Sequence, residues 1–588
     1  MSTGSTKRAR KGKGQQAAKA QQKASAPKAS APKAQAAQAR ESSASKAQAR
    51  ASVRVDASPA HALGEEIPER AWLVASLVIL MAATAFRIYA LDLKPMHHDE
   101  GVNGFFLTNL LRQGVYHYDP ANYHGPTLYY LTLPIVALFG LNTFAVRFVT
   151  AAFGIATVWL VLSLRRWVGA VGALTAAALV AVSPACVFYS RYFIHESLFV
   201  FFALGIVVAA LRFYETGAAT YLLLASASAA MLFATKETAF ISVGTLALAW
   251  LVAVAWATLT SDARGARGRK KNAGGDKGLA QFVAGGQAPL AFAFAFAFAL
   301  FAFIWILFYS SFFTYWKGVF WDSFEAFRVW KQTGMSEFHS KPLDTYVRWL
   351  WQEEAPILLL AVVGTLVALF ERRKNRFAIF AGAWGFGLLA AYSLISYKTP
   401  WLVLSFVVPL AVIGGYGVQA VGRWAAGGGS RLAAAQRRAV TLVVVAVALV
   451  VCVYQAFVVN FREYDNDRYI YVYSHTQRQA LDMLKEVERA SARADTKEPG
   501  IIVASPEYWP LPWYFRDNSH VGYLGSVAPF YDPKSTLMVI GRKSDNPKED
   551  QYEQLRRVLT ADYVEAGTYP LRPGVMLVLF ERRDLAGK

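Results

Sequence analysis

Apolar runs separated by short polar segments fill the chain from residue 71 to residue 459. Most runs contain about 20 residues and almost no charge, which is typical of helices that cross a bilayer. The run at 127–140 is shorter and contains Pro134, so it predicts a re-entrant or interfacial helix. The run at 288–309 alternates Ala and Phe like a strand, but its length favours a lipid-facing helix. The apolar runs are 71–91, 127–140, 144–164, 170–189, 194–213, 219–235, 238–258, 288–309, 355–371, 376–396, 400–421 and 439–459.

The basic residues between the runs predict how the chain crosses the membrane. If 127–140 does not cross, the Lys and Arg clusters fall on the side of the N-terminus, as the positive-inside rule requires of the cytoplasmic side. We therefore predict eleven crossings of the plasma membrane, a cytoplasmic N-terminus and an outer loop at 92–126. The clusters that this count places inside are Arg165 with Arg166, Arg212, 264–271, 371–376, and Arg423, Arg431, Arg437 and Arg438.

Both ends of the chain differ from the apolar middle. Residues 1–68 contain no aromatic residue, so we expect a disordered, basic cytoplasmic tail. A transmembrane domain of about eleven helices at 69–459 is then followed by a soluble extracytoplasmic α/β domain at 460–588. The helical stretches of that last domain are 476–493 and 548–560, and its β-type runs are 501–505, 536–540 and 575–581.

Composition excludes two other classes of protein. Hydrophobic residues make up 55% of the sequence, too many for one soluble domain. The net charge of +21 would suit a nucleic-acid-binding protein, but the Lys and Arg lie in short clusters between apolar runs. We therefore expect membrane lipids as partners and no nucleic acid. Cys186 and Cys452 both lie inside apolar runs, which indicates neither a disulfide nor a cysteine metal site.

The outer loop carries residue types that serve in proton transfer or metal ligation. His97 and His98 precede the adjacent carboxylates Asp99 and Glu100, and His124 follows near the end of the loop. A general base that removes the proton of a sugar or protein hydroxyl group would suit Asp99. The alternative is structural, because carboxylates are favoured at the start of a helix and a helix follows them.

Three further polar groups lie on the same predicted outer face. Cations so close to a bilayer usually have a partner, because one at the centre of a helix costs about 2.5–3.5 kcal/mol. Together with the carboxylates they indicate a site for an anionic headgroup, whereas the alternative for each is an anchor at the membrane interface. The groups are Arg191 with Glu196, Lys236 with Glu237, and Lys398 with Trp401.

The segment at 505–517 is rich in Trp, Tyr and Pro and fits neither a helical nor a strand period. We expect a binding loop or a lid over the membrane site, in which Trp509 and Trp513 contact substrate. The alternative is a structural turn made of Pro and aromatic residues.

The order of these motifs resembles the GT-C superfamily of membrane glycosyltransferases, especially the protein O-mannosyltransferases and the aminoarabinose transferases. The motifs are the acidic pair of the outer loop, GPTLYYL at 125–131, F-x-V-R at 144–147, and Ser183-Pro184 with Tyr189-Ser190-Arg191. The HHDEG, HGPTLYY, KTPW and YWPLPWY elements are similar to those of a prokaryotic subgroup, the flippase-activity-associated membrane proteins. The resemblance is good over about 70–260 and looser in the later helices.

This resemblance implies the inverting transfer of a sugar from a polyprenyl-phosphate-linked donor to an acceptor lipid, protein or glycan at the outer face. Asp99 would take the acceptor proton, aided by Glu100. Positive charge would stabilise the departing lipid phosphate. In the aminoarabinose transferases a Glu-Lys-Pro sequence precedes the short helix, whereas this chain has His124-Gly125-Pro126 and lacks that lysine. The donor phosphate would then be bound by Arg191, Lys236 or Lys398.

The remaining site residues also follow from the resemblance. His97 and His98 are candidates for a divalent metal ion such as Mg, Mn or Zn. A lipid-linked donor removes the need for a nucleotide cofactor. The residues expected to contact substrate are His124, Tyr129, Glu196, Glu237, Trp401, Trp509 and Trp513.

Two other functions stay open at this point: a flippase or transport-associated component that handles lipid-linked sugars, and a non-catalytic scaffold of the same fold. A transporter would carry polar groups along a path through several helices, whereas this chain gathers them at one face. The missing lysine is the feature that would indicate a scaffold.

Overall fold

The structure of the chain is a computed structural model that describes residues 67–260, 287–334, 340–371, 375–426, 431–559 and 561–586. The predicted disordered tail at 1–68, apart from its last two residues, lies outside these ranges, as does the basic cluster at 264–271.

Helices form most of the described chain. The first nine are α1 (Glu69–Ile88), α2 (His98–Gln113), α3 (Thr127–Phe139), α4 (Thr143–Leu162), α5 (Ala170–Val182), α6 (Pro184–Ser190), α7 (Glu196–Thr216), α8 (Ala219–Phe233) and α9 (Ala239–Leu259). The next nine are α10 (Gln287–Tyr309), α11 (Ser323–Gly334), α12 (Thr345–Glu353), α13 (Ala355–Phe370), α14 (Arg376–Leu394), α15 (Leu404–Ala426), α16 (Arg431–Phe457), α17 (Ala480–Arg493) and α18 (Tyr552–Val558). Shorter helical turns lie at Arg165–Val168, Gly318–Asp322, Pro400–Val403, Val458–Arg462, Ile470–Val472 and Leu511–Tyr514.

The apolar helices confirm a multi-pass α-helical membrane protein. Within the described ranges, eight helices are long and apolar enough to cross a bilayer, and up to ten if each of two bent pairs forms one span. The bent pairs are α5 with α6, at 55°, and α12 with α13, at 111°. Helices α3 and α8 are apolar but shorter, with 13 and 15 residues. The count of eleven crossings and the orientation of the termini stay predictions.

A buried carboxylate joins the two bends. Pro184 lacks a backbone N–H and cannot continue α5, so the chain bends there and Ser183 caps the next helix. Glu354, at the bend between α12 and α13, accepts hydrogen bonds from the Ser183 hydroxyl and the Ala185 N–H, both at 2.8 Å. Because both donors belong to the first turn of α6, this one side chain holds two broken helices in register.

The C-terminal region contains the small sheet that the sequence predicts. The strands are β1 (Ile501–Val503), β2 (Val521–Tyr523), β3 (Met538–Lys543), β4 (Tyr563–Arg572) and β5 (Val575–Arg582), in the order β2-β1-β3-β5-β4. Strand β1 is parallel to both neighbours, while β5 is antiparallel to β3 and β4. The sequence did not predict β2, which is short, or β4, where Gly567 and Pro570 lie beside breaks in the strand register.

The segment Trp509–Tyr514 docks this domain onto α2. Two glycines on α2 make room for it: a Cβ atom at Gly101 would lie 2.6 Å from Pro510 Cβ, and one at Gly104 would lie 2.5 Å from Trp513. The backbone N–H of Met96 also donates to the hydroxyl of Tyr514 at 2.8 Å. The soluble domain is thus attached to the helix that follows the two histidines and the acidic pair.

Filling the space at Gly104 tests this attachment. We expect Gly104→Val to push Trp513 out of its position, because overpacking costs about 1–3 kcal/mol. The variant should unfold at a lower temperature in detergent, and trypsin should release its soluble domain faster. The matched control is Gly244→Val on α9, where an added Cβ meets nothing within 4 Å. Equal behaviour of the two variants would contradict the docking.

Candidate active site

The start of α2 is a capping box built from HHDE. Nδ1 of His97 accepts a hydrogen bond from the Asp99 N–H at 3.0 Å, and the His97 N–H donates to Oε2 of Glu100 at 3.0 Å. This reciprocal arrangement satisfies N–H groups that the first turn of a helix leaves without partners. Glu100 thus makes the helix-capping contact that the structural alternative predicts.

Glu100 is also the centre of a buried ion pair. Its two carboxylate oxygens accept hydrogen bonds from Nε and a terminal nitrogen of Arg147, at 2.7 and 2.6 Å, and neither side chain is exposed. The Phe193 N–H donates to the same carboxylate at 2.8 Å. Although burial alone would raise the pKa of Glu100, the charge and hydrogen bonds of Arg147 hold it below its usual value.

Arg147 uses its remaining donors to fix the segment that precedes α2. Its terminal nitrogens donate to three backbone carbonyls, those of Leu91, Lys94 and Pro95, at 2.9–3.1 Å. The guanidinium has five N–H donors in one plane, which suits a carboxylate and several carbonyls together. The pair thereby ties the loop after α1 to the start of α4.

Asp99 differs from Glu100 in exposure, in hydrogen bonding and in the direction of its pKa shift. Its side chain is 37% exposed, and among the described residues no hydrogen bond reaches its carboxylate oxygens. It nonetheless lies deep enough among protein groups that loss of hydration raises its pKa to about 6, with His124 opposing the rise and Glu196 adding to it. Asp99 is thus an accessible carboxylate that takes up a proton near neutral pH.

Two short segments meet beside Asp99. The Gly125 N–H donates to the Thr235 carbonyl at 3.1 Å, and the hydroxyl groups of Thr127 and Thr235 lie 2.8 Å apart. A side chain at position 125 cannot fit, because its Cβ would lie 2.0 Å from the Ala234 carbonyl oxygen. Gly125, in the HGPT sequence at 124–127, therefore allows the end of the outer loop to pack against the TKET turn at 235–238.

This contact gathers four predicted residues around Asp99. His124 lies 2.9 Å from a carboxylate oxygen of Glu237, and the ammonium group of Lys236 pairs with Glu196. Burial would lower the pKa of Lys236, but the Glu196 carboxylate raises it overall. We call these five residues the Asp99 site. Its three carboxylates outnumber its single lysine.

Two tyrosines lie within electrostatic reach of Asp99, and each has a lysine beside it. Burial and the charge of Asp99 raise the pKa of Tyr397 to about 12, and both also raise the pKa of Tyr473. Lys398 follows Tyr397 in the chain, and Nζ of Lys341 lies 5.4 Å from the centre of the Tyr473 ring. Sequence reasoning identified Lys398 but missed Lys341, whose loop contains no motif that points to it.

Arg191 does not lie in the Asp99 site. Its terminal nitrogens donate to the backbone carbonyls of Tyr89 and Ala90, each at 2.6 Å, where α1 has ended, and its side chain packs on Phe461. Residue Arg191 is fully buried. These contacts do not support its predicted role at the donor phosphate, and they also differ from the interface anchor given as the alternative, because Arg191 binds the end of α1.

The predicted aromatic contacts divide into two kinds. Tyr129 and Trp513 are buried, at 0% and 2% exposure, and serve as packing residues. Trp401 and Trp509 are partly exposed and lie near the two histidines, at ring distances of 6.4 Å from His97 and 6.2 Å from His98. Only the second two are placed where a substrate could reach them.

The two histidines do not fit a metal ion. Because Nδ1 of His97 accepts the Asp99 N–H, its other nitrogen carries the proton and donates to the Tyr473 carbonyl at 3.2 Å. His98 lies 6.5 Å away from His97 ring to ring. The described part of the chain contains no group of three or more His, Cys, Asp or Glu side chains arranged to hold a metal.

The soluble domain contributes a residue that the sequence reasoning missed. Arg572, the last residue of β4, pairs with Glu507 and donates to the Trp509 carbonyl at 3.2 Å. It also lies 3.5 Å from Nδ1 of His98, and burial together with its charge lowers the pKa of His98 to about 4. Because β4 was not predicted, nothing in the sequence pointed to Arg572.

Two comparisons with known proteins agree with this architecture. Residues 123–263 match the family described as dolichyl-phosphate-mannose-protein mannosyltransferase. The crystal structure of ArnT from Cupriavidus metallidurans bound to undecaprenyl phosphate is similar over 88% of this chain and 99% of ArnT, with 14% identity and a TM-score of 0.53. No curated protein sequence matches the chain.

The oligosaccharyltransferase of Archaeoglobus fulgidus is also similar, in a structure tethered to an acceptor peptide with the NVT sequon. That match covers 80% of this chain and 69% of the other, with 12% identity and a TM-score of 0.53. A second structure of the same enzyme, in complex with Zn and sulfate, has 13% identity and a TM-score of 0.51. The resemblance to the GT-C superfamily is therefore confirmed: the chain has the fold of the GT-C membrane glycosyltransferases.

Proposed function

We propose that the protein is a membrane glycosyltransferase that moves a sugar from a polyprenyl-phosphate-linked donor to an acceptor hydroxyl group. The observation that carries this proposal is the contrast between the two adjacent carboxylates. Glu100 is fully engaged, whereas Asp99 is accessible, free of hydrogen bonds among the described residues and ready to accept a proton.

The reaction that fits this geometry is a single displacement at the anomeric carbon of the sugar. The bond between that carbon and the phosphate oxygen breaks, and its electron pair leaves with the lipid phosphate. The acceptor oxygen forms the new bond on the opposite face, and its proton passes to the Asp99 carboxylate. Anomeric configuration is therefore inverted, and the products are a glycosylated acceptor and a polyprenyl phosphate.

In this proposal Glu100 is a positioning residue. With Arg147 it fixes the loop and the start of α2, so the neighbouring Asp99 points away from the ion pair and towards His124, Glu196 and Lys236. These groups offer several donors and acceptors to sugar hydroxyls. The mannosyltransferase family match and the ArnT structure with undecaprenyl phosphate support the donor class.

Reconstitution in liposomes with a radiolabelled polyprenyl-phosphate sugar tests the proposal. Transfer of the label to an acceptor supports a glycosyltransferase. Movement of the intact labelled lipid across the bilayer would instead indicate a flippase. Absence of both would leave a non-catalytic scaffold and overturn the proposal.

Replacing each carboxylate by its amide separates chemistry from folding. We expect Asp99→Asn to lower turnover by at least about a hundredfold, as loss of a general base does, with an unchanged unfolding temperature. Glu100→Gln leaves Arg147 buried without a counter-charge, and breaking such a pair costs about 3–5 kcal/mol, so this variant should be unstable. Wild-type turnover by Asp99→Asn would contradict the assignment of the base.

The pH dependence of the rate tests the raised pKa of Asp99. A base works only when deprotonated, so kcat/KM should be half-maximal at about pH 6, level off at higher pH and fall about tenfold per pH unit at lower pH. The residual rate of Asp99→Asn should not show this inflection. A wild-type profile that is flat from pH 5 to 8, over which unperturbed carboxylates stay ionised, would argue against Asp99 as the group that takes the proton.

A further inference from the structure

We propose that Lys341 and Lys398 together form the phosphate-binding site of this enzyme, which takes the phosphate group of a polyprenyl-phosphate lipid. This inference rests on the proposed function and places the donor phosphate away from Lys236 and Arg191. The pair joins two segments that are 57 residues apart in the chain. We refer to these two residues as the lysine pair.

The backbone holds the two ammonium groups together. Ser340 and Tyr397 form an antiparallel β-bridge, and the Lys341 N–H donates to the Ser396 carbonyl at 3.0 Å. Each lysine then bonds the backbone of the other: Nζ of Lys341 donates to the Lys398 carbonyl, and Nζ of Lys398 to the Lys341 carbonyl, both at 3.2 Å. Two positive charges are thus fixed side by side.

Within the described ranges, the lysine pair carries positive charge without a counter-ion. Among the described residues, no carboxylate lies within ion-pair distance of either ammonium group. Burial lowers the pKa of Lys398, and the charge of Lys341 lowers it further. Like charges held this close repel each other, and a bound anion would relieve that repulsion. A dianionic phosphate matches the pair in charge.

Hydrogen-bonding capacity remains for such an anion. An ammonium group has three donors. In the described structure Nζ of Lys341 uses one of them, on the Lys398 carbonyl, and Nζ of Lys398 uses two, on the Lys341 and Ile395 carbonyls. Three donors are left for phosphate oxygens. Lys341 is partly exposed, which gives the anion access, whereas Lys398 is buried.

The other predicted cations are less suitable. Lys236 is already paired with Glu196 and lies among the carboxylates of the Asp99 site, which would repel a phosphate. The terminal nitrogens of Arg191 already donate hydrogen bonds to backbone carbonyls. The site is therefore divided: the carboxylate side suits sugar and acceptor hydroxyls, and the lysine side suits the leaving phosphate.

The height of the lysine pair in the fold suits a lipid phosphate. The membrane-span candidate Pro400–Ala425 begins two residues after Lys398, and the preceding candidate ends at Leu394. The ends of membrane-spanning helices lie at the level of the lipid head groups, where a pair of lysines can contact a lipid phosphate. Tyr397 precedes Lys398 in the chain, and the ring of Tyr473 lies 5.4 Å from Nζ of Lys341. Burial and the charge of Asp99 raise the pKa of both tyrosines, so the sugar of the donor would lie beside these two rings.

Binding of undecaprenyl phosphate to the purified full-length protein in detergent tests this site. We expect Lys341→Gln to weaken this binding at least about tenfold, as loss of a charge-assisted contact does, and to leave binding of the uncharged lipid undecaprenol unchanged. Lys341→Arg should keep most of the affinity. The matched control is Lys331→Gln, which removes an exposed lysine of α11 and should change neither lipid.

The outcomes distinguish this inference from the proposed function. If the wild type binds undecaprenyl phosphate and Lys341→Gln binds it equally well, the lysine pair is not the phosphate site, although the function stands. If Lys341→Gln weakens the binding of phosphatidylglycerol as much as that of undecaprenyl phosphate, the pair is a general lipid head-group site and the assignment fails. A wild type that does not bind undecaprenyl phosphate at all rejects both the donor class and this site.

Discussion

The buried ion pair between Glu100 and Arg147 is the constraint on which the site depends. Each charge would cost several kcal/mol to bury alone, so the pair is stable only because every oxygen and most N–H groups have partners. Those partners come from the loop after α1, the start of α2 and the segment before α7. This ion pair thereby fixes three segments of the chain. Successive residues of a helix point about 100° apart, so the side chain of Asp99, which precedes Glu100 in α2, faces another direction.

Beside this ion pair, the acidic and the basic side chains of the candidate site form two separate groups. The Asp99 site contains three carboxylates and one lysine, while the lysine pair is a separate group that lies against Tyr473. A reaction in which a hydroxyl loses a proton and a phosphate departs needs such an arrangement. Negative charge must receive the proton at one end, and positive charge must stabilise the leaving group at the other. The soluble domain, attached to α2 through Trp513, brings Arg572 to the same place.

Residue types and hydrophobic periodicity were enough to predict the multi-pass fold and the small C-terminal sheet. They could not decide which carboxylate was structural, because that depends on Arg147, 47 residues from Glu100. Arg191 shows the same limit: its sequence context resembled a ligand site, but nearby backbone carbonyls take its donors. Lys341 was missed because contacts distant in sequence, the β-bridge between Ser340 and Tyr397 and the hydrogen bond from the Lys341 N–H to Ser396, bring it to the site.

A cryo-EM structure of the protein in lipid nanodiscs with undecaprenyl phosphate would test the central claim most directly, that both ends of the reaction meet in one site. The account predicts phosphate density about 3 Å from Nζ of Lys341, with the Asp99 carboxylate facing the same space beside Tyr397 and Tyr473. Phosphate density at Lys236 or Arg191, or on the face of the membrane opposite Asp99, would contradict it.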